Sequence, residues 1–192
     1  MTSGVRDLTR DAVRTQLAEA AYDCFLARGF ERTTVEDAAR AAGVSRATFF
    51  RYFRSKEDAV IVAMESAALD FGTRLRTLDV RDGRPVWQHL RTAFEPAVES
   101  TDAAPERVRA KARMISSVPS LAAHLAERRR AQETLLSDAL AEQVQDPLTA
   151  KVLVATALAA FDLAWREWAA STASFREVLD DVFARLDVTP HP

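Results

Sequence analysis

Cysteine is nearly absent from this 192-residue chain, Cys24 being the only one, and glycine occurs five times and histidine three. A lone thiol closes no internal disulfide, which agrees with a reducing compartment. So few glycines exclude a turn-rich all-β protein. His89, His124 and His191 are scattered without metal-ligand spacing, and His124 with Glu127 one turn on is a pairing many helices share. No metal or other cofactor is expected. Glycine-rich phosphate loops and nucleophile elbows are also missing, which sets an enzyme aside as the weaker class. The longest apolar run near the C-terminal end, Val152 to Phe161, stops at Asp162, well short of the roughly 20 residues that cross a bilayer. The opening MTSGVRDLTRDAVR lacks an apolar stretch followed by a small-residue cleavage site. A cytoplasmic protein without a membrane partner is expected.

What is present suits a globular chain of one domain or two small ones, 48% apolar and 28% charged. The net charge is −2, yet no Asp or Glu lies between Ala38 and Lys56, where Arg40, Arg46, Arg51, Arg54 and Lys56 fall. The rest of the chain is correspondingly more acidic. Such asymmetry fits a nucleic-acid surface on an otherwise acidic protein, and equally a solvated helical face.

Helix signals run along the whole chain. Thr9 is placed to cap a first helix in which Val13, Leu17, Ala20, Ala21 and Cys24 return at spacings of three and four, ending at Arg28-Gly29; there Cys24 is a packing residue. Thr33-Thr34-Val35-Glu36 reads as a capping box opening a short helix to Ala42, after which Gly43 supplies a left-handed terminator. Ser45 caps the next helix, and Ser55-Lys56-Glu57-Asp58 starts another. Prolines then punctuate helices expected at about 85–99, 105–117, 119–144, 147–171 and 174–187.

Two helices joined at Gly43-Val44 form a helix-turn-helix arrangement, whose second helix enters the major groove. In "GVSRATFFRYFRSK", Phe49 and Phe53 lie one turn apart and can pack inward with Val44. Arg46, Ala47, Thr48, Arg51 and Tyr52 are left on the other sides. Arginine pairs with guanine, threonine with a base or phosphate, and tyrosine reaches phosphate. Lys56 is placed to hold a phosphate at the start of the fourth helix.

At these residues the sequence resembles the tetracycline-repressor (TetR) family of bacterial regulators: "TTVEDAARAAGVSRATFFRYFRSKEDAV" carries the Thr pair, Ala-Gly-Val-Ser, an aromatic-rich recognition helix and Ser-Lys-Glu-Asp, ungapped over roughly Thr9 to Ala63. The resemblance implies an all-α protein of about nine helices, with a DNA-binding domain at 1–55 and a ligand-binding and dimerisation domain at 56–192. By position, Thr33 and Thr34 correspond to phosphate contacts, Ser45, Arg46, Ala47 and Thr48 to the base-reading edge, and Tyr52 and Lys56 to backbone clamps. Thr33 is also a helix cap on its own terms. Phe50 stands where many members carry a tyrosine whose hydroxyl reaches phosphate, so Arg51 is expected to take more of the anchoring.

The second half is less explicit. Phe175, Val178, Leu179, Val182, Phe183 and Leu186 form one stripe, and "LTAKVLVATALAAFDLAWREW" is apolar nearly all round. A partner subunit or the same subunit can cover such helices; the resemblance favours a two-fold four-helix bundle using Leu153, Ala157, Ala160 and Ala164 with the last helix. A homodimer would read a palindromic operator in double-stranded DNA. "RVRAKARMISSVPSLAAHLAERRRAQETLLSDAL" resembles the mycofactocin-regulator subgroup with acyl-CoA-like ligands, which implies a small apolar effector. Trp87, Phe94, Met114, Ile115, Leu121, Leu125 and Trp165 are candidates to line its tunnel, or simply core. Arg109, Arg113 and the Arg128–Arg130 run are candidates for its phosphates, or solvated faces. The alternative to a DNA-binding repressor is a helical protein-interaction module, which has no need of an acid-free recognition helix.

Overall fold

A computed structural model describes residues 3–64 and 71–186. Its secondary structure is helical throughout the described residues: α1 Ser3–Arg28, α2 Val35–Ala41, α3 Arg46–Tyr52, α4 Lys56–Met64, α5 Phe71–Arg76, α6 Val86–Ala93, α7 Glu95–Ala103, α8 Pro105–Ser117, α9 Pro119–Val144, α10 Pro147–Ala170 and α11 Phe175–Ala184. The all-α expectation holds, with eleven helices among the described residues where about nine are expected for the chain. The stretch expected as one helix at 85–99 is two, because Pro96 near the start of α7 has no N–H with which to continue the ladder of α6. Helix α5 was not anticipated, and α1 begins before Thr9, which lies inside it. His191 and the last residue of the expected final helix, Asp187, lie outside the described residues.

The described chain forms two compact units. The first comprises residues 3–64 with Met114–Leu125. In it α1 packs on α2 and α4, and α2 on α3. Tyr22, Phe25, Phe49 and Phe53 are fully buried, joined by Ile115, Val118 and Leu121. This unit extends beyond the 1–55 head expected from the sequence, since α4 buries Ala59, Val60 and Ile61 in the same core. The turn between α2 and α3 follows from Gly43. With φ at 70°, its own N–H bonds to the Arg40 carbonyl (3.0 Å) and the Val44 N–H to that of Ala39 (2.9 Å). These two bonds close α2 in a Schellman motif.

The second unit comprises residues 71–113 and 126–186. Helix α10 packs on α11 and α6, and its Phe161 ring lies 4.7 Å from Phe94, 5.7 Å from Phe71 and 5.7 Å from Phe175. At 24 residues, with an 18-residue stretch of mean hydropathy 1.5, α10 is long and apolar enough to span a membrane, extending beyond the Val152–Phe161 run at both ends. Yet Ala157, Phe161, Ala164 and Trp168 on it build the core of this unit. Glu95 sits between Arg91 (2.9 Å) and Arg176 (2.5 Å). Burial opposes its charge, and the two guanidinium groups outweigh burial, holding the carboxyl below its usual range.

Candidate nucleic-acid interface

Helix α3 has seven residues, too short to hold its shape without tertiary support. Ser45 caps it, its Oγ accepting from the Thr48 N–H (3.1 Å) and donating to Thr48 Oγ1 (3.1 Å). Phe49 and Phe53 anchor it from below, ring centroids 4.8 Å apart. At its end Arg14 of α1 donates from Nε to the Tyr52 carbonyl (3.1 Å) and from Nη2 to Asp58 (3.2 Å), tying α1, α3 and α4 together. Outward, Ser45, Arg46, Ala47, Phe50 and Arg51 are exposed, and Thr48 and Tyr52 half-buried. The Arg51 guanidinium lies 5.3 Å from the centre of the Tyr52 ring, within cation–π reach.

Three expectations change here. The capping box of α2 belongs to Thr34 and Asp37, one residue later than read: Thr34 Oγ1 accepts from the Asp37 N–H (3.1 Å), and Asp37 Oδ2 accepts from the Thr34 N–H (3.2 Å) and hydroxyl (2.7 Å). These Thr34 hydrogen bonds, first the hydroxyl's and then the N–H's, lower the Asp37 carboxyl below its usual value, with help from Arg28 and Arg40. Thr33 is buried instead, its hydroxyl donating to the Gly29 carbonyl (2.8 Å); it neither caps α2 nor faces outward. Lys56 donates to the carbonyls of Phe30 (3.1 Å) and Thr33 (3.4 Å), so it serves the α1–α2 connection in place of an open phosphate clamp.

The acid-free stretch is also not acid-free in space. Glu36 and Asp37 of α2 come beside it: Asp37 pairs with Arg40 at 3.4 Å, and Glu36 Oε1 with Arg46 Nε at 2.7 Å. Sequence reading missed this because it assigned Glu36 to the cap. It also passed over Arg10 and Arg14, one turn apart on α1, which with Asp11 and Tyr52 line a cavity of about 340 Å³ beside α3. Their i, i+4 spacing was the available signal.

The candidate ligand residues divide between the two units. Met114, Ile115, Leu121 and Leu125 belong to the first core, whereas Phe94 is in the second and Trp87 and Trp165 pack against it. Arg109 is buried, its guanidinium 4.4 Å from the Trp168 ring and donating to the carbonyls of Trp168, Ser171 and Ala173; Arg113 Nε donates to that of Ala169 (3.3 Å). Both arginines serve the carbonyl end of α10. Of the candidate dimer residues, Ala157, Ala160, Ala164, Phe175, Leu179 and Phe183 are buried within the subunit, and Leu153, Val178, Val182 and Leu186 are partly buried against the same core.

The model of the bacterial regulatory proteins of the tetR family matches residues 17–61, and that of the MftR C-terminal domain matches residues 84–189. The chain belongs to the TetR family. The HTH-type transcriptional regulator TcmR of Streptomyces glaucescens is 30% identical over 178 residues, covering 86% of this chain and 76% of TcmR. Among solved structures, FadR of Bacillus subtilis in complex with stearoyl-CoA is similar with a TM-score of 0.60 at 18% identity, covering 92% of this chain and 98% of that one. FadR of Thermus thermophilus, a TetR-family repressor in complex with lauroyl-CoA, is similar with a TM-score of 0.50 at 26% identity, covering 93% and 98%. The chain is therefore a DNA-binding helix-turn-helix transcription regulator.

Proposed function

We propose that this regulator is a cytoplasmic repressor that binds a palindromic operator as a homodimer and releases it when a largely apolar small molecule binds. One observation carries the reading: α3 buries Phe49 and Phe53 while Arg46, Ala47, Phe50 and Arg51 stay exposed, so packing does not require its cationic edge. Arg46 and Thr48 then contact base edges, Ala47 suits a thymine methyl, and Thr34, Ser45, Arg51 and Tyr52 take phosphates. Arg10 adds a phosphate contact from α1. Thr33 and Lys56 support the fold of the head.

The dimer contact moves to a different face of α10 from the one expected. Leu148, Val152 and Leu163 are 72%, 57% and 42% exposed. With exposed Ala155 and Ala159 between them, they recur at three- and four-residue spacing. Such a stripe is suited to a two-fold partner, with the alanines allowing close approach. For the effector, the acyl-CoA bound by the two FadR proteins supports an acyl-CoA-like molecule. Phe94, Trp87 and Trp165 remain its candidate contacts in the second unit. Catalysis forms no part of the proposal.

Selection of duplexes from a randomised library by the full chain tests this reading. A two-fold symmetric consensus, released by lauroyl-CoA or stearoyl-CoA, is the expected outcome. Enrichment of no sequence would overturn DNA reading; a consensus indifferent to both thioesters would overturn the effector class alone.

A further inference from the structure

Glu36 is the second residue of α2, and the one-residue shift of the capping box leaves its carboxylate free of any capping duty. That carboxylate lies 2.7 Å from Arg46 Nε on the neighbouring helix, both side chains being more than half exposed. The other side of the same guanidinium is supported by Phe50, whose ring centre is 5.2 Å from Arg46 Cζ. Phe50 is itself propped edge-on by the buried Phe49, ring centroids 6.1 Å apart and planes at 90°. A long, rotamer-rich side chain is thus held by an acid at Nε and by a ring at its face. The two terminal nitrogens, Nη1 and Nη2, have no described partner in the chain.

We propose that Glu36 and Phe50 form a cradle that presets Arg46 for a guanine, making Glu36 a specificity-determining residue of the interface although it touches no base. The inference rests on the reading of α3 as the DNA-contacting helix. An arginine reads guanine by donating two hydrogen bonds to O6 and N7, and the free Nη pair can do so while Nε keeps its carboxylate. On a duplex lacking that guanine, Arg46 does better at a phosphate. To reach it the guanidinium must leave Glu36, and the abandoned carboxylate then faces the anionic backbone. Glu36 therefore weakens binding to the wrong duplex more than to the right one, the repulsive element that specificity commonly needs. Phe50 adds orientation: stacking fixes the plane in which the fork projects. An exposed ion pair contributes little to stability, so the arrangement has more consequence for recognition than for folding.

The test compares the full wild-type chain with Glu36→Ala, Glu36→Gln, Phe50→Ala and Arg46→Ala, and with the Arg46→Ala/Glu36→Ala double variant. Probes are the duplex most enriched from a randomised library, its scrambled counterpart, and the enriched duplex with 7-deazaguanine at each guanine in turn. Glu36→Ala is expected to tighten binding to the scrambled duplex by about fivefold and to change the enriched duplex much less, so that discrimination falls by about that factor. Glu36→Gln should lie between it and wild type. Phe50→Ala should weaken the enriched duplex alone, and one 7-deazaguanine position should lose its effect in both Phe50→Ala and Arg46→Ala. In the Arg46→Ala background, removing Glu36 should no longer change discrimination. Unchanged discrimination in Glu36→Ala, or an equal loss with and without Arg46, overturns the cradle while leaving DNA reading intact. Glu36→Ala altering preference at a cytosine would mean that Glu36 reads a base directly, which also overturns it. If Arg46→Ala itself leaves discrimination unchanged, the reading of α3 fails and the cradle with it.

Discussion

Lys56 holds its ammonium 4.3 Å from the centre of the Phe30 ring while donating to the Phe30 carbonyl at 3.1 Å. A cation over an aromatic face with charge-assisted bonds to two carbonyls fixes the α1–α2 connection, and so the position of α2 beneath α3. Replacing Lys56 by Ala should destabilise the protein by about 2 kcal/mol, read by denaturant unfolding. The slope of log affinity against log salt should stay the same, because two of the three ammonium N–H groups are turned to carbonyls of the chain and the proposal gives Lys56 no phosphate to neutralise. A slope smaller by about one, with stability unchanged, would return Lys56 to the role of phosphate clamp.

Gly43 isolates a backbone effect. Its φ is +70°, and a Cβ built there meets nothing within 4 Å. The cost of Gly43→Ala should therefore be strain alone, about 1 kcal/mol, and Gly43→Asn should cost less because asparagine tolerates the left-handed region. Thermal unfolding of the two variants checks the order.

Asp82 titrates low. The Arg84 side chain (2.7 Å) and then its N–H (3.0 Å) hydrogen-bond the carboxylate, with the Arg84 and His89 charges behind them, and its pKa is lowered from 3.8 to about 2. A depressed carboxyl stabilises the fold fully above its ordinary value, and that contribution is lost as pH falls through the folded value. Carboxyl chemical shifts should give Asp82 a midpoint at about 2. Arg84→Ala should move the midpoint upward toward 3.8.

The α10 stripe gives a prediction about assembly. Val152→Glu together with Leu163→Glu should convert the dimer to a monomer in sedimentation without loss of helical content, since both positions are exposed within the subunit. Ala164→Glu, by contrast, should unfold the second unit, because that residue is fully buried in its core. A dimer surviving the double change would remove the proposed contact.

How far these features were legible depended on the range of the interaction. Periodicity and caps are local, so most of the helices, the Gly43 terminator and the inward Phe49 and Phe53 could be read directly, whereas α5 and the break between α6 and α7 were not. The Thr34–Asp37 box was misplaced by one residue because Thr33-x-x-Glu36 and Thr34-x-x-Asp37 both satisfy the capping pattern; burial of Thr33, a tertiary fact, decides between them. An acid-free run in sequence likewise could not reveal that Glu36 folds back onto Arg46. On α10, apolar residues surround the helix, and periodicity alone cannot tell which stripe faces the core. Ala157, Ala160 and Ala164 face inward, and Leu148, Val152 and Leu163 remain outside.

The central claim is that the exposed edge of α3 reads DNA, and the most direct measurement is the affinity of wild type and Arg46→Ala for the enriched and scrambled duplexes at two salt concentrations. The wild-type chain should lose affinity steeply with salt on both duplexes. Arg46→Ala should weaken the enriched duplex by about 1 to 3 kcal/mol and the scrambled one far less. Salt-insensitive binding, or equal weakening on both duplexes, would contradict it.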